Sequence, residues 1–123
     1  MDGLDAAIRK MDWRNDAAKY IFHICDAAPH GSEYVDPKYD AYPHGCPCGI
    51  TIKDISAQLK KNNINYKLLK LNYHTNKMAK IFKSYMGSSF EEMRINDASQ
   101  LVSKVTSVIV RDIKTQEIDV VVE

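Results

Sequence analysis

Long hydrophobic runs, paired cysteines and an excess of either charge are what this sequence lacks. No apolar stretch approaches the roughly 20 residues that a membrane-spanning helix needs. The first ten residues, MDGLDAAIRK, carry acidic groups where a secretion signal has basic ones, and no apolar core follows them. Three cysteines, an odd number, do not make a disulfide framework and fit a reducing compartment. Lys and Arg total 17 against 16 Asp and Glu, a formal net charge of +1, so the electrostatic footprint of a nucleic-acid partner is missing. The two signs are interspersed, as on a solvated surface. Glycine-rich phosphate loops of the G-x-G-x-x-G and G-x-x-x-x-G-K types do not occur, nor do the H-R-D and D-F-G sequences of kinase chemistry. These absences predict a cytoplasmic, non-catalytic chain with no transmembrane segment. Its 123 residues, 45% of them hydrophobic, suffice for one small domain with a packed core.

What is present is periodic. Leu4, Ala7, Ile8 and Met11 recur at the i, i+3, i+4, i+7 spacing of an amphipathic helix, predicted to end near Asp12–Trp13. Residues 18–25, AKYIFHIC, are a nearly continuous apolar run with β-formers. That predicts a strand buried on both faces, as in a parallel sheet. Thr51 and Asp54 have capping-box spacing ahead of Ile52, Ile55 and Leu59, a second helix stopped at KNN. Residues 64–71, INYKLLKL, are a second strand, with Ile64, Tyr66 and Leu68 on one face and Leu69 and Leu71 on the other. A third helix starts from Thr75 or Asn76, buries Met78, Ile81, Phe82 and Tyr85, and stops at Gly87. FEEMRI, 90–95, is a weaker third strand. Asp97 or Ser99 caps a last helix with Leu101, Val105 and Val108 inward; a strand at SVIV is the competing reading, because the segment is rich in β-branched residues. The domain is drawn over residues 1–115. Residues 116–123 form a tail, and its EIDVVVE has strand composition.

Strands that alternate with helices imply right-handed crossovers and a mostly parallel sheet. The predicted class is α/β, a partial doubly wound, Rossmann-like three-layer domain. Three strands are few for such a fold.

Residues 26–50 hold all four prolines and three of the five glycines. A loop of that length in a small domain is usually functional or mobile. Asp26 is either a ligand-binding carboxylate at the carboxyl end of a strand, where α/β sheets bind, or a loop-starting Asp that accepts backbone N–H groups. His30, His44, Cys46 and Cys48 supply the donor types of a zinc tetrahedron. The one-residue spacer of Cys46-Pro-Cys48 is shorter than the usual two to four, and a turn set by Pro47 with a small buried thiol is the plainer reading. Tyr34, Tyr39 and Tyr42 form either a binding surface or the loop's own core. His23, inside the apolar strand, reads as a structural histidine.

The segments LDAAIRKMDWRNDAAKYIFHICDAAPHG, HGCPCGI, LKKNNINYKLLKLN and KMAKIFKSY resemble the second half of a von Willebrand factor type A domain, in the version attached to atypical alpha-type protein kinases. The resemblance runs from about Gly3 to about Ile95. It implies a doubly wound domain whose ligand site, a metal-ion-dependent adhesion site, lies at the carboxyl ends of the strands and is built from three loops. Strand 18–25 is similar to the fourth strand of that family, so Asp26 takes the position of the third metal loop. The Asp-x-Ser-x-Ser of the first loop does not occur in this sequence. The resemblance therefore implies a truncated domain with an incomplete site, binding Mg²⁺ only with its missing N-terminal half. It also leaves strand 20–25 as an open edge, an invitation to a protein partner or a homodimer. The function it implies is a non-catalytic interaction or adhesion module. A targeting or regulatory segment of an alpha-type kinase system is the alternative, and a small zinc-binding protein using loop 30–48 is another.

Overall fold

The computed structural model describes the backbone of residues 1–122 and the side chains of residues 1–113. Its centre is β2 (Ile64–Lys70), which lies between β1 (Lys19–Cys25) and β3 (Phe90–Arg94). Both pairings are parallel, so strand order follows chain order. Crossing from β1 to β2 is α2 (Ile52–Lys61), and from β2 to β3, α3 (Asn76–Met86). Two right-handed crossovers stepping the same way across a sheet put both helices on one face.

Alternation along β2 then decides what is buried where. Ile64, Tyr66 and Leu68 share the core with Ile55 and Leu59 of α2, Met78 and Phe82 of α3, and Leu4 and Ile8 of α1 (Asp2–Arg9). The opposite face carries Tyr20, Lys67 and Glu91, and there α4 (Ser99–Val122) is tied down by its polar residues. The Tyr20 hydroxyl donates to Asp112 at 2.9 Å, Arg111 reaches both oxygens of Glu91 at 3.0 and 2.8 Å, and Lys67 Nζ lies 3.2 Å from Glu91. Helices thus flank a three-stranded parallel sheet on both sides, the α/β layering expected. No described helix is long and apolar enough to cross a membrane.

Local signals act as their chemistry requires. Thr51 accepts from the Asp54 N–H, and Asp54 accepts from the Thr51 N–H, both at 3.2 Å, a complete capping box. α3 ends at Gly87, whose φ of 64° lies in the left-handed region that a side chain disfavours.

Four expectations need correction. α1 ends at Arg9, short of Asp12, because the Trp13 indole N–H takes the Ala7 carbonyl at 3.0 Å, the acceptor that another helical residue would have used. β1 is half-buried, with Ile24 45% exposed, because it has one neighbour strand among the described residues. Tyr85 lies outside the buried stripe of α3, which is Met78, Ala79, Phe82 and Met86. SVIV and the backbone of residues 116–122 run in α4, so the competing strand at SVIV does not hold, and strand composition at 116–122 gives helix. Asp97 starts that helix by accepting from the Ser99 N–H at 2.9 Å. The boundary drawn at residue 115 falls inside α4; Glu123, and the tail's side chains, lie outside the described residues.

Candidate functional site

The loop from Asp26 to Ile50 is knotted by one carboxylate that sequence reasoning missed. Asp40 accepts from the Gly31 N–H at 2.7 Å and the Tyr42 N–H at 2.9 Å, and its other contact is His30 Nδ1 at 2.6 Å. Those two backbone donors, with the His30 contact adding to them, hold its carboxyl below the usual carboxylate range. The Ser32 N–H bonds the Pro43 carbonyl at 2.9 Å, closing the loop on itself. Tyr34 is the loop's anchor in the core. It is 5% exposed and meets Phe82 edge to face, 6.2 Å between ring centres. Of the three loop tyrosines, only Tyr39 and Tyr42 are surface residues, 77% and 48% exposed.

This loop walls two cavities that share residues Ala27 to His30. One, of about 800 Å³, opens at the carboxyl end of the sheet, where Asp26, His30, Tyr34 and Tyr39 meet Tyr73 and Lys77. The other, of about 820 Å³, runs along the outer edge of β1. Four consecutive strand residues, Ile21 to Ile24, line it, as in a groove that follows the edge of the strand. Leu4 and Phe82 form part of its floor, and Cys46 its rim.

His23 belongs to that strand and is held from inside. Its Nδ1 lies 2.6 Å from the Tyr66 hydroxyl. Burial pushes the Tyr66 hydroxyl far up, so the phenol keeps its proton, and the ring's tautomer decides which of the two donates. Burial also lowers the pKa of His23. A neutral ring bonded from inside the fold is the structural role expected.

The metal-ligating candidates are regrouped. His30 is engaged with Asp40 and stacks edge-on against Tyr42, 4.9 Å between ring centres. His44 is exposed. Cys46 and Cys48 meet Asp2 instead, with all three ligand atoms within 4.8 Å of one another. Asp2 sits in the first turn of α1, 44 residues away in sequence, and no local signal pointed to it. Hydrogen bonds from the thiols lower the Asp2 carboxyl, and the same contact with Asp2 pushes the Cys48 thiol up to about 11. Asp26 joins no such cluster among the described residues. A hard cation such as Mg²⁺ needs several oxygen ligands in near-octahedral order. The residues described at Asp26 do not supply that set.

No family model matches the chain, and no solved structure matches it. Over 64 residues, 52% of this chain, it is 41% identical to part of the alpha-protein kinase vwkA of Dictyostelium discoideum. The matched stretch is 10% of that kinase, so the similarity concerns a small part of a much longer protein.

Proposed function

We propose that this domain is a non-catalytic interaction module of the von Willebrand A type, serving an alpha-type protein kinase system, and that it works by accepting an extended strand of a partner protein along β1. The observation that carries the reading is the β1 edge. The strand pairs on one side only among the described residues, and a groove of about 820 Å³ follows the other side. An unpaired edge presents a row of N–H and C=O groups, the template for strand addition. Side chains of an added strand would alternate between two apolar walls, Ile21 with Leu4 and Phe82 on one, Phe22 and Ile24 on the other. The similarity to part of an alpha-protein kinase supports the kinase association.

An extended segment fits better than a second copy of the chain. The N-terminus of α1 and Ala27–His30 line the groove along this edge. A single strand needs only the groove itself, whereas pairing two copies edge to edge would bring these flanking elements against each other. The test is amide hydrogen exchange with a synthetic peptide that alternates Val with Thr and Lys, about as long as the seven-residue β1. The expected result is slowed exchange in Ile21–Ile24, abolished by Ile24→Lys, with the far-ultraviolet spectrum unchanged. Protection that instead grows with protein concentration alone would replace the strand donor by a second copy. If neither peptide nor concentration protects β1, the interaction reading fails, and phosphate transfer from ATP by this chain would refute its non-catalytic part.

A further inference from the structure

The groove and the carboxyl-end cavity leave one cluster of reactive side chains without a role. We propose that Asp2, Cys46 and Cys48 bind a borderline-soft divalent cation of the zinc class, which clasps the long loop to the N-terminus of α1.

The geometry is close to what such an ion needs. Tetrahedral zinc with bonds of about 2.3 Å to sulfur and about 2.1 Å to oxygen sets its ligand atoms roughly 3.6 to 3.8 Å apart. Cys46 Sγ lies 3.3 Å from Asp2 Oδ1, and all three ligand atoms lie within 4.8 Å of one another. Side-chain rotations of about an ångström close the set.

The backbone already presents both sulfurs. The Cys48 N–H donates to Cys46 Sγ and the Ile50 N–H to Cys48 Sγ, each at 3.4 Å. The Gly49 N–H closes the turn on the Cys46 carbonyl at 3.1 Å, and Gly49 takes a φ of 74° that suits glycine. Donors aimed at sulfur fix the direction in which each Sγ is presented. Two thiolates beside a carboxylate repel one another unless a cation, or protons, lie between them. The proposed ion displaces the thiol protons to solvent as it binds.

The donor set selects the metal. Thiolates favour zinc-class ions over Mg²⁺ or Ca²⁺, which take oxygen. Cys48 is exposed, so the ion has an entry path. Three protein ligands leave a fourth position for water or an external donor, unlike a closed structural site. The one-residue spacer between the cysteines is consistent with that, because the third ligand comes from another element rather than from a second knuckle.

The test is cobalt(II) titration of the reduced full chain, read by thiolate-to-cobalt charge transfer in the near ultraviolet and tetrahedral d–d bands in the visible. The expected result is one ion per chain with both signatures. Cys46→Ser and Cys48→Ser should each abolish the charge-transfer intensity of a two-thiolate site. Asp2→Asn should weaken binding by about tenfold or more while charge transfer survives at saturation. His30→Ala and His44→Ala should leave both signatures intact. Loss of binding in either histidine variant would overturn the ligand set in favour of a His–Cys site. A wild-type chain with titratable free thiols and no charge-transfer band would overturn the site itself. Circular dichroism of each variant separates loss of a ligand from loss of the fold.

Discussion

Glu91→Ala and Lys67→Met remove opposite members of one ion pair, and the structure makes their consequences unequal. Lys67 sits on the central strand, with its side chain 8% exposed. Parallel register sets it directly across from Glu91 on β3, at 3.2 Å. Asp112 of α4 stands farther off, at 3.8 Å. Removing Glu91 leaves a buried ammonium with that single distant carboxylate. Breaking a buried pair from one side costs about 3 to 5 kcal/mol. Glu91 is 32% exposed, and Asp112 still answers part of the charge, so the discounted expectation is about 2 kcal/mol. For a domain of this size that lowers the melting temperature by roughly 6 to 10 °C. Lys67→Met is a different change. It removes the desolvated charge and keeps the volume, while Glu91 retains two bonds from Arg111 and Asp112 retains Arg111 and Tyr20. The expected cost is below about 1 kcal/mol. Urea and thermal unfolding by circular dichroism measure both. If Lys67→Met costs as much as Glu91→Ala, the asymmetry is wrong, and the pair stabilises by attraction rather than by sparing a buried charge.

Two further outcomes are expected. Thr51→Ala removes a side chain that accepts from the Asp54 N–H at 3.2 Å and should cost about 1 kcal/mol in urea unfolding, with m unchanged. His23 has its pKa lowered by burial from the ordinary 6.5. The unfolded chain then binds the proton first, so stability from this group is complete above about pH 6.5 and falls as pH drops below it. His23→Gln should flatten the melting-temperature profile between about pH 6.5 and 5, before the low-lying carboxyls of Glu91 and Asp112 titrate; an unchanged slope would refute the neutral buried ring.

Periodicity carried the layers. The alternation of Ile64, Tyr66 and Leu68 and the 3.6-residue stripe of α2 are properties of neighbouring residues, and both appear in the core. The Thr51–Asp54 capping box is equally local. Legibility ends where a partner comes from far along the chain. Trp13 shortens α1 by folding back on Ala7, and nothing in the residues of that turn announces it. The cysteines were legible as ligand types, but their neighbour Asp2 is 44 residues away. Asp40 reads as an ordinary loop carboxylate until Gly31 and Tyr42 are seen to donate to it. Composition gave the loop its length and its reactive residues, and long-range contacts decided which of them meet.

The contacts of the long loop explain why its function would be coupled to its order. Ala27 to His30 separates the β1 groove from the carboxyl-end cavity, so its position sets the shape of both. It is held near one end by Asp40, which bonds His30 and the Gly31 N–H. Farther along, Cys46 and Cys48 reach the first turn of α1, the element that forms part of the groove floor. Between these ties Tyr34 plugs into the core against Phe82. A ligand that tightens the Asp2–Cys46–Cys48 contact therefore fixes one rim of the groove to its floor. A strand that enters along β1 meets a rim already in place and loses less ordering free energy on binding. Reciprocity then requires that strand binding raise the affinity for the cation by the same factor. Cobalt titration in the presence and absence of the strand peptide measures that factor, and equal affinities in the two conditions would mean that the loop's two ends act independently.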